Sequence, residues 1–165
     1  GMRQRVMIAM AMSCRPRPLI ADEPTTAVDV TIEAQILELM DVLRAETGTS
    51  VMLVTHYLGI VAQHTERVVV MYLGQVAEVA PTPALFREPA HPYTQGLLDS
   101  LPRPESTIET LRAIEGSVPD PLHRPPGCPF HPRCPRVMSR CREKAPPRLQ
   151  IGPRHAVRCF LWEKP

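Results

Sequence analysis

The distribution of proline constrains this chain first. Of its 20 prolines, 3 lie before residue 81 and 17 from there on. Proline fixes φ and lacks a backbone donor, so helix interiors and central strands exclude it. The early residues are therefore free to build regular elements, while the later ones must rely on turns, short elements and extended arms. Charge divides in the same direction. Residues 1–120 hold 9 Lys/Arg against 15 Asp/Glu, and residues 121–165 hold 10 against 2. One chain joins two differently built regions. A hydrophobic content of 44% allows a real core, mainly aliphatic because aromatics reach only 4%. No apolar run approaches the roughly 20 residues that span a bilayer, and no signal-peptide pattern opens the chain. The stretch GMRQRVMIAMAM starts in mid-helix by its pattern, so Gly1 reads as an excision point within a longer chain.

Met2 to Ser13 is composed of good helix formers and meets a stop at Pro16. Pro18 to Ala21 reads as a short buried parallel strand. Asp29 is placed to cap a following helix, in which Ile32, Ile36, Leu39, Met40 and Leu43 recur at helical spacing until Gly48. Ser50 to Val54 reads as a second buried strand ending in Thr55-His56, and Leu58 to His64 as a short helix. The segment RVVVMYLGQVAEV predicts two strands around a turn at Gly74. Strand, helix and strand with short links predict a parallel α/β unit. In PAHPYTQGLL, a short helix is expected after His-Pro-Tyr, with His91 and Tyr93 capping and packing it. Residues 101–127, with six prolines from Pro102 to Pro126, read as a linker or an extended arm.

Ligands of open parallel sheets bind beyond the carboxyl ends of the strands. Asp22-Glu23 and His56 both fall there. A lone acidic pair at a strand end is often only a solvated turn; a histidine at the neighbouring strand end raises it above that. Phosphoryl transfer needs charge neutralisation and a positioned nucleophile. One carboxylate can hold Mg²⁺ against nucleotide phosphates, a second can polarise the attacking water, and a histidine can hydrogen-bond the terminal phosphate.

The order and spacing of these stretches resemble the ABC ATPases. GMRQRV resembles the tail of the signature sequence, LIADEP the Walker B strand, TTAVD the D-loop and THYLGIVA the switch-histidine segment. HPYTQGLL followed by a Pro-rich, four-cysteine tail resembles the carboxyl-terminal extension of ATPase subunits from oligopeptide and dipeptide importers. The resemblance implies the C-terminal part of a P-loop-type α/β ATPase core over residues 1–80, a His-Pro-Tyr segment and Pro-rich arm over 81–127, and a four-cysteine tail over 128–165. It implies Asp22 for Mg²⁺, Glu23 as the catalytic carboxylate and His56 as the switch residue. Asp29 becomes the D-loop acid facing a partner subunit, and Gly1 and Met2 the signature residues closing on ATP held by the opposite domain. Met2, Val28 and Tyr57 stand where the family usually has Gln, Leu and, in this branch, Asp. No Gly in the chain is followed by Lys, so it contains no P-loop, and it is expected not to hydrolyse ATP alone. The implied partners are a second ATPase domain, two transmembrane permeases and an extracytoplasmic peptide-binding protein, at the inner face of the membrane. A non-transport ABC ATPase acting on nucleic acid or ribosomes through its basic tail is the alternative. Few aromatics for base stacking argue against that alternative.

Cys128, Cys134, Cys141 and Cys159 admit several chemistries. Zinc knuckles usually pair cysteines two to four residues apart, and no such pair occurs here. An iron–sulfur cluster tolerates wider spacing, and Pro after Cys128 and Cys134 is a common ligand context. Disulfides suit oxidising compartments. The resemblance implies a 4Fe–4S cluster, with zinc and free thiols as alternatives. His131 is a weaker ligand candidate, and Cys14 is expected to be buried without a ligand role.

Overall fold

The computed structural model describes residues 1–26, 28–101 and 113–163. Two compact units emerge, Gly1–Thr65 and Glu66–Pro165. The start of the Pro-rich arm, including Pro102 and Pro104, lies outside the described residues.

The first unit runs α1 (Met2–Met12), β1 (Pro18–Asp22), α2 (Val30–Thr47), β2 (Ser50–Val54) and α3 (Leu58–His64). Strands β1 and β2 are parallel, with Ala21 opposite Leu53 and Asp22 opposite Val54. This is the expected strand–helix–strand crossover. Asp29 caps α2 as expected: its carboxylate accepts from the Ile32 N–H at 2.9 Å. Gly48 ends α2 with φ of +68°, a conformation a side chain would disfavour. The buried face of α2 is Ile36, Leu37 and Met40; Leu37 was not in the expected stripe. Both strands depart from the reading as fully buried. They alternate in exposure, and Ile20, Met52 and Val54 face outward at 63%, 54% and 43% exposure. No element among this unit's described residues covers them. Cys14 is also exposed, contrary to expectation. It falls after the last turn of α1, a helix that buries no residue.

The second unit contains β3 (Arg67–Tyr72), β4 (Gln75–Pro81), α4 (Thr82–Arg87), α5 (Pro92–Asp99), α6 (Ser139–Glu143), β5 (Leu149–Gly152) and β6 (His155–Val157). Leu73 and Gly74 both have positive φ, +46° and +71°, the geometry of a tight two-residue hairpin turn. The hairpin expected at Gly74 is present. The sheet order is β3-β4-β6-β5, so the tail strands join the hairpin. The sequence reading placed divisions after residues 80 and 127; α4, β5 and β6 were not foreseen. Aromatic packing is denser than the composition suggests, because the few rings are gathered. Tyr72 lies 4.7 Å from Tyr93 and 5.2 Å from Phe130, ring centre to ring centre. Around them are buried Cys128, Cys141 and Phe160.

One buried carboxyl ties this unit together. Glu78, fully buried on β4, accepts from the Ala90 and His91 N–H groups at 2.8 and 2.9 Å and bonds His155 Nε2 at 2.8 Å. Buried polar groups need such partners. The His-Pro-Tyr segment is thereby held to the sheet.

Candidate functional site

The carboxyl ends of β1 and β2 bring together the residues expected there. Asp22 is exposed at the last position of β1. Glu23, the next residue, has φ of +44°, in the left-handed region that non-glycine residues rarely occupy. Its N–H donates to the Val54 carbonyl at 2.9 Å, which continues the strand pairing by one residue and fixes this conformation. Its carboxylate then turns toward β2. His56 Nδ1 lies 2.9 Å from Glu23 Oε1, and an ionised carboxylate can only accept, so the imidazole donates. Thr26 donates its hydroxyl to Oε2 at 2.9 Å. The Thr26 hydroxyl foremost, then His56, holds the Glu23 carboxyl below the usual range. Thr26 was not foreseen; the only signal was a hydroxyl three residues beyond an acid in a turn. Asp29 is engaged in capping α2, and Gly1 stands just before α1 with its α-carbon against the Ile32 side chain. Met2 is 86% exposed.

An acid at a strand end beside a second acid bonded to histidine can perform two tasks. The outer carboxylate is free to face a hydrated divalent cation. The inner one, oriented by two donors, is positioned to take a proton from water.

In the second unit, Cys128, Cys134, Cys141 and Cys159 line one small cavity together with His91 and Phe130. All four are free thiols. Among the described residues no group of three or more His, Cys, Asp or Glu is gathered as a ready-made metal site. Three of the cysteines nevertheless open the same turn. The carbonyls of Cys128, Cys134 and Cys159 accept from the N–H of His131, Val137 and Trp162, each three residues on. The sulfurs themselves are favoured as thiolates by the backbone N–H of Phe130, Arg136 and Leu161, each two residues on. Pro129 and Pro135 occupy the position in these turns where a fixed φ is favourable. Burial works against ionisation. It is the main cause that pushes the Cys128 thiol up to about 11, with the three neighbouring thiols adding to it. Burial likewise raises Cys134 and Cys159. His131 uses Nδ1 to bond the Cys128 carbonyl at 3.0 Å. His91 caps α5 through Nδ1, which accepts from the Tyr93 N–H at 3.0 Å. Two arginines of the basic tail are structural. Arg133 bonds the carbonyls of Ile114 and Glu115, and Arg140 bonds Glu163 and the Phe160 carbonyl.

Similar proteins span both units of the chain. Residues 77–141 match the family described as oligopeptide/dipeptide transporter, C-terminal region. The oligopeptide transport ATP-binding protein AppD of Bacillus subtilis is 56% identical over 164 residues, covering 99% of this chain and 50% of that protein. The dipeptide transport ATP-binding protein DppD of Bacillus subtilis is 50% identical over 99% of this chain and 49% of its own length. The oligopeptide transport ATP-binding protein OppD of Salmonella typhimurium is 48% identical over 97% of this chain and 48% of its own length. The chain spans about half the length of the curated relatives it matches. An α/β crossover whose strand ends gather Asp22, Glu23 and His56 is followed by a region matching that transporter family, and the chain as a whole is similar to the carboxyl-terminal half of oligopeptide and dipeptide transport ATP-binding proteins.

Proposed function

We propose that the complete protein carrying this chain is the ATP-hydrolysing subunit of an importer for di- and oligopeptides. The observation that carries this reading is the 2.9 Å bond between His56 and Glu23, directly beyond Asp22 at the ends of two parallel strands. Asp22 is the carboxylate that would hold Mg²⁺, which when bound neutralises phosphate charge. Glu23 takes the proton of the attacking water, and His56 keeps its carboxylate aimed. Gly1 and Met2 face ATP held by a second ATPase domain, and Asp29 reaches that same partner. Two permease subunits and an extracytoplasmic peptide-binding protein complete the assembly at the inner face of the membrane. No helix among the described residues is long and apolar enough to cross a membrane.

The cysteine tail is proposed to bind a 4Fe–4S cluster. Its support is the four cysteines lining one cavity, three of which open the same backbone turn. A cluster spreads its thiolates over four irons. Four cysteines around one cavity suit that arrangement.

Replacing Glu23 by Gln in the complete protein tests the catalytic reading. ATP binding should persist while hydrolysis falls by about 10²- to 10⁴-fold. Peptide uptake should fall with it. Hydrolysis at the unmodified rate would overturn the assignment.

A further inference from the structure

A glycine stands directly before the first of the four clustered cysteines. Gly127 precedes Cys128 and has φ of +70°. A methyl group added at its α-carbon would meet the Cys141 carbonyl oxygen at 2.4 Å and the Arg142 carbonyl carbon at 2.9 Å. Both are backbone atoms of α6, so no side-chain rotation relieves the contact. Immediately after this approach, the Cys128 N–H donates to the Cys141 carbonyl at 2.8 Å. Two of the four thiols, thirteen positions apart in sequence, are thus joined through their own backbones. Their sulfurs line the same cavity.

We propose that Gly127 is a positioning residue for the four-thiol centre: only a residue without a side chain lets the Cys128 backbone lie against the Cys141–Arg142 peptide, and this contact presets the spacing of two ligands before metal arrives. The inference rests on the reading of the four cysteines as one metal-binding centre. It concerns a residue that has no side chain with which to ligate metal. Its positive φ alone would not make it special. Gly116 has φ of +76°, yet a methyl group there would meet nothing closer than Arg133 Cγ at 3.6 Å.

The experiment uses the complete protein purified without oxygen, with metal content per chain and visible absorption as readouts. The unmodified protein should carry metal. Gly127→Ala and Gly127→Asn should both lose affinity for it by about 10- to 100-fold, the usual cost of disturbing a supporting shell. Asn tolerates positive φ, so its failure isolates the close approach from backbone conformation. Gly116→Ala should stay loaded. Loaded Gly127 variants overturn the proposal and leave the four-thiol reading standing; an unmodified protein without metal overturns that reading itself. Should the Gly127 variants not fold, hydrogen exchange on the unmodified, metal-free protein decides. A slowly exchanging Cys128 amide is expected if the pairing is preset, and a freely exchanging one rejects it.

Discussion

Glu23 combines two features that a residue of no special role would not retain. It holds a strained backbone angle, and both its carboxylate oxygens are bonded. Strain of this kind costs on the order of 1–3 kcal/mol and persists only where its surroundings enforce it. Here the Val54 carbonyl does so. The two donors have a consequence that titration can read. Replacing Thr26 by Val removes the larger influence holding the Glu23 carboxyl low, so Glu23 should titrate at higher pH in the variant. Carbon-13 NMR of labelled glutamate carboxyls checks this; an unmoved titration would mean that the Thr26 bond does not form in solution. Asp22, Glu23 and His56 were legible in sequence because strand ends in parallel sheets are where ligands bind. Thr26 was not, since its role comes from a turn that folds the side chain back on the acid. Cys14 was misread for a related reason: a small apolar residue was assumed to be inside, but the helix before it buries nothing.

At the scale of elements, α5 shows how a motif can be structural. His91 is buried and accepts from the Tyr93 N–H, which requires a neutral imidazole. Burial pushes its pKa down to about 4, although the nearby Glu78 carboxyl pulls it up. In the unfolded chain an ordinary histidine takes its proton near 6.5. Between these values the unfolded state binds more protons, so stability rises with pH. Stability present above about pH 6.5 is therefore lost as pH falls toward about 4, by roughly 3 kcal/mol at most. Denaturation of the metal-free protein should show this slope. His91→Asn keeps a capping oxygen and should flatten it; an equal slope in the variant would place the titrating group elsewhere. The cap and packing roles of His91 and Tyr93 were expected, but the helix was placed after His-Pro-Tyr, whereas it begins at Pro92, the first-turn position that proline favours. Helix α2 and the Gly74 hairpin were readable from caps and turn residues. Strands β5 and β6 were not. Four and three residues long, they are too short to show a period, and only the pairing of β6 with β4 and of β5 with β6 makes them strands.

For the whole molecule, the first unit leaves apolar side chains of its sheet open, whereas the second closes its own core. Within that second unit, contacts differ greatly in reach. The three cysteine turns each close within four residues, while Glu78 meets His155 across 77 positions. Closing a short loop takes on the order of 10–100 ns, and the entropy cost of closure grows with length. The order of events during refolding follows from this. If the four cysteines bind metal as proposed, their local turns would form before distant strands have found each other, and a metal ion captured there would act as a folding nucleus. Interactions formed in the transition state speed folding, whereas those formed later only slow unfolding. Zinc added to the reduced, unfolded second unit within the complete protein should therefore accelerate its refolding in stopped-flow measurements. A refolding rate indifferent to zinc, with unfolding alone slowed, would show that the sheet assembles first and the metal arrives to a finished site.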